Sequence, residues 1–336
     1  MNRRGFLNAV TTSVIATRYG FDGLVTNARA EDIWPSHGIT LVVPFPPGGQ
    51  ADFAARPVAE ALRGILGVPV TIENRPGAGG AIGNAFVARA VPDGYKLLMT
   101  LSSLAVLPEA QKLFGMTPQY TVDQLIPIAR VLADPAVLSV HKSQPHKTVQ
   151  DFIADAKARP GKITYASSGF YGTTHVPMEM LSHAAGIKLT HVAYRGAGPA
   201  MNDVIAGQID ALAAAPATAK PQELAGNIRT LASFGAERVE AFPNVPTFRE
   251  IGFPDVEYYI WAGLFAPVGT PQSIVDRLRA AMGQVMVDPN VTRIFAGVGS
   301  PPAYLDAPDF AKFIETDSDR LIKAVRAIGK VGEKLE

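Results

Sequence analysis

Two loops that combine glycines with polar side chains are the segments of this sequence best suited to bind a ligand. The first, Phe45–Asp52, follows a predicted strand and precedes a predicted helix. Its prolines restrict the backbone and its glycines allow close approach. The following helix presents free N–H groups and a positive dipole end, which can hold a carboxylate without Arg or Lys. The candidate binding residues here are Phe45, Pro46, Gly48, Gly49, Gln50 and Asp52. A tight structural turn is the alternative interpretation.

The second loop, Ser167–His175, also lies between a predicted strand and a predicted helix. Its hydroxyls and backbone N–H groups could hold a second polar group of the same ligand. The candidates are Ser167, Ser168, Gly169, Phe170, Tyr171, Gly172, Thr173 and His175. The alternative is ordinary helix capping by Thr173 or Thr174, which we expect in any case. His175 either contacts the ligand or supports the loop.

Two shorter segments are further candidate walls of the same site. Ser102 and Ser103 follow a predicted strand, and Tyr194 begins the segment Tyr194-Arg195-Gly196 after another strand. In open α/β sheets, ligands bind beyond the carboxyl ends of the strands, where all these residues fall. Either segment could equally be a plain loop.

The elements that must position these loops alternate between strand and helix along the chain. Ile39–Val43 and Ile163–Ala166 are typical short apolar strands, and Phe310–Ile328 has the period of an amphipathic helix. Such alternation predicts an α/β fold with mostly parallel sheets flanked by helices. Crossings near residues 134 and 254 predict two lobes. One lobe would comprise 31–133 plus 255–336, and the other 134–254.

Composition excludes several other classes of protein. Of 336 residues, 47% are hydrophobic and 18% charged, with a formal net charge of +1, so neither disorder nor a nucleic-acid footprint is indicated. Cys is absent, and the six His residues are scattered, which gives no support to a metal site. The segment Gly77–Gly83 only approximates a dinucleotide fingerprint, because its third glycine falls one residue late. We therefore expect no cofactor.

Residues 1–30 resemble an export signal. Asn2–Leu7 contains a twin-arginine pair, a moderately apolar run follows, and Ala28-Arg29-Ala30 fits the rule for cleavage by signal peptidase. We expect cleavage before Glu31 and a periplasmic protein, exported by the twin-arginine or the general route. The alternative is a basic tail on a cytosolic protein.

Eight short stretches in a fixed order resemble one known family. They are VVPFPPGG at 42–49, ENRPGAGG at 73–80, PDGYKLL at 92–98, PGKITYAS at 160–167, HVAYRGAGPA at 191–200, AGQID at 206–210, NVPTF at 244–248 and WAGLFAPVGTP at 261–271. The chain is thereby similar to substrate-binding proteins of tripartite tricarboxylate transporters, the TctC or Bug family. The resemblance covers nearly all of the chain after residue 39.

This resemblance implies a two-lobed periplasmic-binding-protein fold that closes on its ligand like a Venus flytrap. It implies a monomer that binds a small organic carboxylate through loop backbone, hydroxyls and water, and that contacts membrane transporter subunits transiently. The family's site maps onto Phe45–Asp52, Ser102-Ser103 and Ser167–His175. Relatives often carry a hydroxyl where Gln50-Ala51 stands and smaller residues where Phe170-Tyr171 stands. Together with Phe45, these aromatic residues predict a ligand with an apolar or aromatic body.

Two other functions compete with uptake. The same fold could present its ligand to a membrane sensor kinase, which the sequence does not distinguish from transport. An enzyme could use Asp52, His175 or Tyr194 as acid or base, but no nucleophile elbow, metal-binding pair or cofactor motif supports catalysis. We expect a binding protein and no enzyme.

Overall fold

The computed structural model describes residues 34–332. The predicted export signal at residues 1–30 therefore lies outside the described part of the chain. Within the described part, no helix is both long and apolar enough to cross a membrane.

Eleven strands form two sheets within residues 34–332. The strands of the first sheet are β1 (Ile39–Val43), β2 (Val70–Asn74), β3 (Lys96–Leu101), β4 (Leu125–Pro135), β10 (Tyr259–Pro267) and β11 (Leu305–Asp306). Those of the second are β5 (Val137–His141), β6 (Thr164–Ser167), β7 (Thr190–Ala193), β8 (Ala211–Ala214) and β9 (Ile228–Ser233). The spatial orders are β11-β4-β10-β3-β1-β2 and β7-β6-β8-β5-β9.

Ten α-helices pack around these sheets in the same part of the chain. The first five are α1 (Gln50–Leu66), α2 (Ala81–Ala88), α3 (Ser103–Leu113), α4 (Val149–Ala158) and α5 (Val176–Ala185). The others are α6 (Ala197–Ile205), α7 (Pro216–Leu224), α8 (Gln272–Val285), α9 (Pro289–Gly297) and α10 (Ala307–Ile328).

The two-lobed α/β fold predicted from the sequence is confirmed, but its sheets are mixed rather than mostly parallel. β1 pairs in parallel with β2 and β3, and β6 with β7 and β8. β10 instead runs antiparallel to both β3 and β4, and β5 runs antiparallel to β8 and β9. The antiparallel pairs all involve strands next to the crossings. At a crossing the chain passes from one sheet to the other. It does not return to the same sheet through a helix, which is the connection that makes neighbouring strands parallel, so the strands there can be antiparallel.

The chain crosses between the two sheets twice. β4 ends at Pro135 in the first sheet, and β5 begins at Val137 in the second. The chain returns between Ser233, the end of β9, and Tyr259, the start of β10. The exact lobe limits remain a prediction, but two connections of this kind are typical of proteins whose lobes move about a hinge.

Aromatic side chains fill the core of the first sheet. Trp261 on β10 is fully buried, and its indole N–H donates to Asp317 of α10 at 2.8 Å. Its ring meets Phe310 edge-on with centroids 5.6 Å apart. These contacts hold α10, the helix predicted from the amphipathic pattern of Phe310–Ile328, against β10.

Several polar residues near helix starts do not cap them. Asp52 is the third residue of α1, and the helix runs through Pro57. Thr270 does not cap α8, because its hydroxyl donates to the Pro267 carbonyl oxygen and the helix begins at Gln272. Ser103, for which a plain loop was one alternative, begins α3. In each case a local hydrogen bond or a buried contact outweighs the cap preference read from residue type.

Candidate functional site

A small closed cavity lies between the two sheets, at the ends of their strands. From the first sheet and its helices it is lined by Phe45, Gly49, Gln50, Ala51, Leu101 and Ile260. From the second it is lined by Ser168, Thr173, Thr174, Ala197, Ala215 and Thr218. Its volume is about 10 Å³, enough for the centre of one water molecule. An organic ligand does not fit in this volume, so its binding here requires the two sides to separate.

Four helices begin at this cavity within the described chain. Gln50 is the first residue of α1 and Ala197 the first of α6, while Ala215 immediately precedes α7. Thr173 and Thr174 lie just before α5. In none of the four does a side chain cap the start. The positive dipole ends of these helices thus meet at one small volume, which favours an anion. The first N–H groups of α5 are already bonded, because those of His175 and Val176 donate to the Gly172 carbonyl oxygen.

The cavity lining carries no charge of its own. Among the residues that the structure describes, no Lys, Arg, Asp or Glu lines it. An anion there would be held by backbone N–H groups and hydroxyls, as the sequence predicted for the two loops. Hydrogen bonds from such groups to a carboxylate are stronger than bonds between neutral partners.

The loop Phe45–Asp52 reaches across the cleft to the start of α6. A Cβ atom placed on Gly196 would lie 2.3 Å from Cδ of Pro46, and one on Gly198 would lie 2.6 Å from the Pro47 carbonyl oxygen. Gly48 sits beside Gly198 and adopts a φ of +87°, a conformation that favours glycine. Glycines on both sides therefore allow the backbones to approach when the cleft closes.

Asp52 stabilises this loop rather than lining the cavity. Its carboxylate accepts bonds from Arg56 at 2.9 Å, from the Gly48 N–H at 3.2 Å and from the Asn74 amide at 3.3 Å. The Asn74 amide also donates to the Phe45 carbonyl oxygen at 2.9 Å. The carboxylate is thus fully engaged in holding the loop in place.

Gln50 connects the cavity to the crossing strand. Its side-chain amide nitrogen donates to the carboxylate of Asp134 near the end of β4. Burial raises the pKa of Asp134 to about 7, although the nearby Ser300 and Gln50 side chains favour its ionised form. The amide oxygen of Gln50 is buried and has no hydrogen-bond partner within residues 34–332.

In the second loop, Ser168 and Thr173 line the cavity, together with Thr174. The Thr174 hydroxyl accepts a bond from the Ser168 N–H at 2.7 Å and donates to the Ser168 hydroxyl at 3.1 Å. This side chain ties the loop to itself and does not cap α5, contrary to the expected role. Gly172 packs so closely that an added Cβ would lie 2.6 Å from the Ser168 hydroxyl.

Phe170, Tyr171 and His175 lie behind the cavity rather than at it. Tyr171 donates its hydroxyl to the Gly329 carbonyl oxygen at 2.6 Å, which links this loop to the chain after α10. His175 is fully buried, and its Nδ1 accepts the Tyr171 N–H at 3.1 Å. Phe170 packs edge-on against His191 with centroids 4.7 Å apart. Of the three aromatic residues expected to enclose a ligand, only Phe45 lines the cavity.

The two histidines of this buried cluster are held neutral. Burial, followed by the neighbouring His191, lowers the pKa of His175 well below its usual value. Burial also lowers the pKa of His191 to about 4, and its Nε2 lies 2.6 Å from the Ser167 hydroxyl. Neutral imidazoles packed behind a loop support its shape and add no charge to the cavity.

The remaining predicted residues also support the site from outside its lining. Ser102 pairs with the Tyr258 hydroxyl at 3.1 Å, and Ser103 donates to the Gly79 carbonyl oxygen at 3.1 Å. Tyr194 donates to Asp203 at 2.5 Å. Gly169 and Tyr194 line a separate open groove of about 540 Å³, together with Phe170 and the segment Pro76–Gly79. The three proposed acid–base residues, Asp52, His175 and Tyr194, thus have separate partners.

The sequence did not indicate seven of the lining residues, namely Ala51, Leu101, Thr174, Ala197, Ala215, Thr218 and Ile260, and it predicted Thr174 only as a helix cap. Ala197 and Ala215 follow the carboxyl ends of β7 and β8, so the rule that placed the other loops applied to them as well. Their small apolar side chains offered no chemical signal.

Two still larger open grooves lie elsewhere on the described surface, with volumes of about 910 and 760 Å³. The first lies between α5 and α10, and the second between α7 and the segment after α9. Neither of these two is lined by a predicted site residue, and the groove of about 540 Å³ is not lined by the loop Phe45–Asp52. The small cavity between the sheets is lined by both predicted loops and is therefore the candidate site.

Two mixed sheets joined by two crossings, with uncapped helix starts meeting between them, define the class of solute-binding receptors. The family profile described as "Tripartite tricarboxylate transporter family receptor" matches residues 54–330. The chain belongs to this family. The protein BugT of Bordetella pertussis is 32% identical over 298 residues, covering 89% of this chain and 91% of BugT.

Solved structures of similar proteins have the same fold. The periplasmic binding protein BugD is 29% identical with a TM-score of 0.84, covering 88% of this chain and 99% of BugD. Rpa4515 of R. palustris, solved with adipate, is 30% identical with a TM-score of 0.82, covering 88% of this chain and 98% of Rpa4515. MatC of Rhodopseudomonas palustris, solved with malate, is 28% identical with a TM-score of 0.80, covering 87% of this chain and 99% of MatC.

Proposed function

We propose that this protein captures a small carboxylated organic compound between its two lobes and delivers it to a tripartite tricarboxylate-type transporter. The observation that carries this proposal is the meeting of four uncapped helix starts at one cavity. Positive dipole ends favour a carboxylate, and the hydroxyls of Ser168, Thr173 and Thr218 add donors.

The carbon skeleton of the ligand would contact an apolar wall. Phe45, Leu101 and Ile260 line the first-sheet side of the cavity, and Ala197 and Ala215 line the second. This supports the apolar body expected from the sequence, while the aromatic preference now depends on Phe45 alone. Adipate and malate, bound by the two similar proteins, are both small dicarboxylates of suitable character.

Direct contact is proposed for the predicted residues that line the cavity, namely Phe45, Gly49, Gln50, Ser168 and Thr173. The other predicted residues would hold the two loops in position. Binding would draw the lobes together because the ligand contacts both, with bending at the two crossings. A micromolar dissociation constant corresponds to about −8 kcal/mol, which charge-assisted hydrogen bonds and apolar burial can supply.

Location and partners complete the proposal. Residues 1–30 would direct export and be removed before Glu31, leaving a periplasmic monomer that contacts membrane transporter subunits transiently. Its lobes would comprise 31–133 plus 255–336, and 134–254. Fractionation of cells followed by N-terminal sequencing tests this directly, since a cytoplasmic protein with an intact N-terminus would contradict it.

Thermal unfolding of the purified protein tests the binding function. The panel comprises mono-, di- and tricarboxylates, amino acids and uncharged sugars. A carboxylate at about 100 times its dissociation constant should stabilise the protein by roughly 2.7 kcal/mol. Mass spectrometry of the denatured protein first shows whether a ligand copurified. Stabilisation by sugars but by no carboxylate would contradict the proposal.

Gene deletion tests the transport role. Uptake of the ligand should be lost in the deletion strain and restored by the intact gene. Normal uptake combined with lost induction of ligand-responsive genes would instead identify a receptor for a membrane sensor kinase.

A further inference from the structure

The side chain of Gln50 has one satisfied end and one unsatisfied end. Gln50 is only 3% exposed, lines the cavity and begins α1. Its amide nitrogen donates to Asp134, and its amide oxygen has no partner within the described chain. A buried carbonyl oxygen without a donor is costly, and most such atoms in proteins are paired.

The hydrogen bond to Asp134 leaves one end of the Gln50 amide free. The amide nitrogen is the donor in this bond, so the nitrogen faces Asp134. The amide oxygen on the other side has no partner within the described chain. The pair therefore makes Gln50 an acceptor toward the cavity, whereas a freely rotating amide would offer either group.

No donor of the described chain reaches the Gln50 amide oxygen. The Thr174 hydroxyl donates instead to the Ser168 hydroxyl at 3.1 Å, and the other lining hydroxyls also leave this oxygen unpaired. Those other hydroxyls, together with the helix starts, are proposed to hold the carboxylate. A donor carried by the ligand itself would satisfy the Gln50 oxygen.

The surroundings favour a neutral donor over a charged one. Four positive helix ends meet at the cavity, and no acidic side chain of the described chain lines it. An ammonium group would be repelled by the helix dipoles and would lack a counter-ion. A hydroxyl group carries no such penalty and can also accept a bond from an N–H group.

We propose that Gln50, oriented by Asp134, makes this receptor selective for hydroxy carboxylates, in which a hydroxyl near the bound carboxylate donates to the Gln50 amide oxygen. This inference rests on the proposed function, since it assumes that a carboxylate occupies the cavity. It adds the chemical group that separates preferred ligands from other carboxylates of the same size. A site built to bond a hydroxyl disfavours the analogue lacking it, because its own polar atom then stays unpaired.

The test compares matched ligands that differ by one hydroxyl group. Isothermal titration calorimetry of the purified protein would use malate with succinate, lactate with propionate, citrate with tricarballylate, 3-phenyllactate with 3-phenylpropionate, and 2-hydroxyadipate with adipate. Aspartate is measured beside malate and succinate because it carries an ammonium group in place of the malate hydroxyl. In the pair that binds best, the hydroxy acid should bind at least about tenfold more tightly, and malate more tightly than aspartate.

Two variants connect this preference to the Gln50–Asp134 pair. Gln50→Met keeps the length of the side chain and removes the acceptor. The difference in affinity between the hydroxy acid and its matched analogue should therefore fall to less than about threefold. Asp134→Asn keeps the size of the carboxyl and can face either end of the Gln50 amide, so it should reduce the difference partly. Gln144→Met is the matched control, because it removes a similar bond to Asp210 away from the cavity and should leave the difference unchanged.

The outcomes separate the two proposals. If no carboxylate binds, the proposed function itself is contradicted. If carboxylates bind but the hydroxy acids show no advantage, or aspartate binds more tightly than malate, only the selectivity inference is overturned. It is also overturned if Gln50→Met weakens both members of the pair equally, since Gln50 would then have only a structural role. Circular dichroism and thermal unfolding establish that each variant folds.

Discussion

Helices that begin at the cavity differ from two helices that begin away from it in how their first N–H groups are satisfied. At the start of α4, the Thr148 hydroxyl accepts the Asp151 N–H at 3.1 Å, and the Asp151 carboxylate accepts the Thr148 N–H in return. At the start of α9, Asp288 accepts the N–H groups of the first turn. By contrast, α1 and α6 follow glycines, and α7 follows Ala215.

This difference identifies helices that lack the stabilisation of a capping side chain. A capping side chain contributes about 1 kcal/mol to a helix, and the helices at the cavity forgo it. Helices such as α3 and α8 also begin without a side-chain cap, so its absence alone does not mark a site. What distinguishes α1, α5, α6 and α7 is that their starts lie at one cavity, where a single anion can interact with several helix dipoles.

The largest effect should come from placing a cap at the cavity. In Ala215→Asp, the new carboxylate would occupy the first N–H groups of α7 and repel a bound carboxylate. We expect ligand affinity to fall by about 1000-fold, or roughly 4 kcal/mol. Isothermal titration calorimetry with the carboxylate that binds most tightly to the wild type measures this loss of affinity. Ala215→Asn is the control for size, and equal losses in both variants would show that crowding rather than charge is responsible.

Closing the cleft should depend on the glycine at the start of α6. In Gly198→Ala, the added Cβ would lie 2.6 Å from the Pro47 carbonyl oxygen on the opposite side of the cleft. The lobes should fold but close incompletely, with affinity reduced about 100-fold, or roughly 2.7 kcal/mol. Gly64→Ala is the matched control within α1, because nothing lies within 4 Å of its added Cβ. Unchanged affinity in Gly198→Ala would show that the two backbones need not meet.

Stability should fall as the pH rises, because of the carboxyl that orients Gln50. Asp134 has a folded-state pKa of about 7 against an ordinary value of 3.8, so the folded protein holds a proton that the unfolded chain releases. This contribution is fully present below pH 3.8 and is lost as the pH rises through 7. Between pH 5 and pH 8 it should cost about 2 to 3 kcal/mol.

Chemical denaturation of the wild type and of Asp134→Asn at both pH values isolates this contribution. The lowered pKa values of His175 and His191 oppose it at acidic pH but are common to both proteins and cancel in the difference. The same pH slope in both proteins would show that Asp134 is already ionised at pH 5.

The smallest effect should come from removing a cap away from the cavity. Thr148→Ala removes the hydroxyl that caps α4 and should lower the free energy of unfolding by about 1 kcal/mol. Ligand affinity should not change, because Thr148 does not line the cavity. Denaturant titration measures the free energy of unfolding, and isothermal titration calorimetry measures the ligand affinity. A loss of affinity here would show that capped and uncapped helix starts are energetically coupled.

The sequence by itself determined the class of fold and the two principal loops. Alternation of short apolar strands with helical periods predicted two α/β lobes, and two sheets flanked by helices are observed. Glycines and hydroxyl-bearing residues between strand and helix indicated Gly49 and Ser168, both at the cavity. These features are local, since residue type and spacing along the chain decide them.

Only the tertiary structure decided which of the candidate residues face the cavity. It turned Asp52 toward Arg56 and Asn74, placed Tyr171 against the chain after α10, and brought Ala197 and Ala215 to the site. It also joined Gln50 to Asp134, 84 positions away, which leaves the amide oxygen free. The physical reason is that side-chain partners distant in sequence, and backbone groups without a chemical signature, are specified by packing between elements rather than by the local pattern.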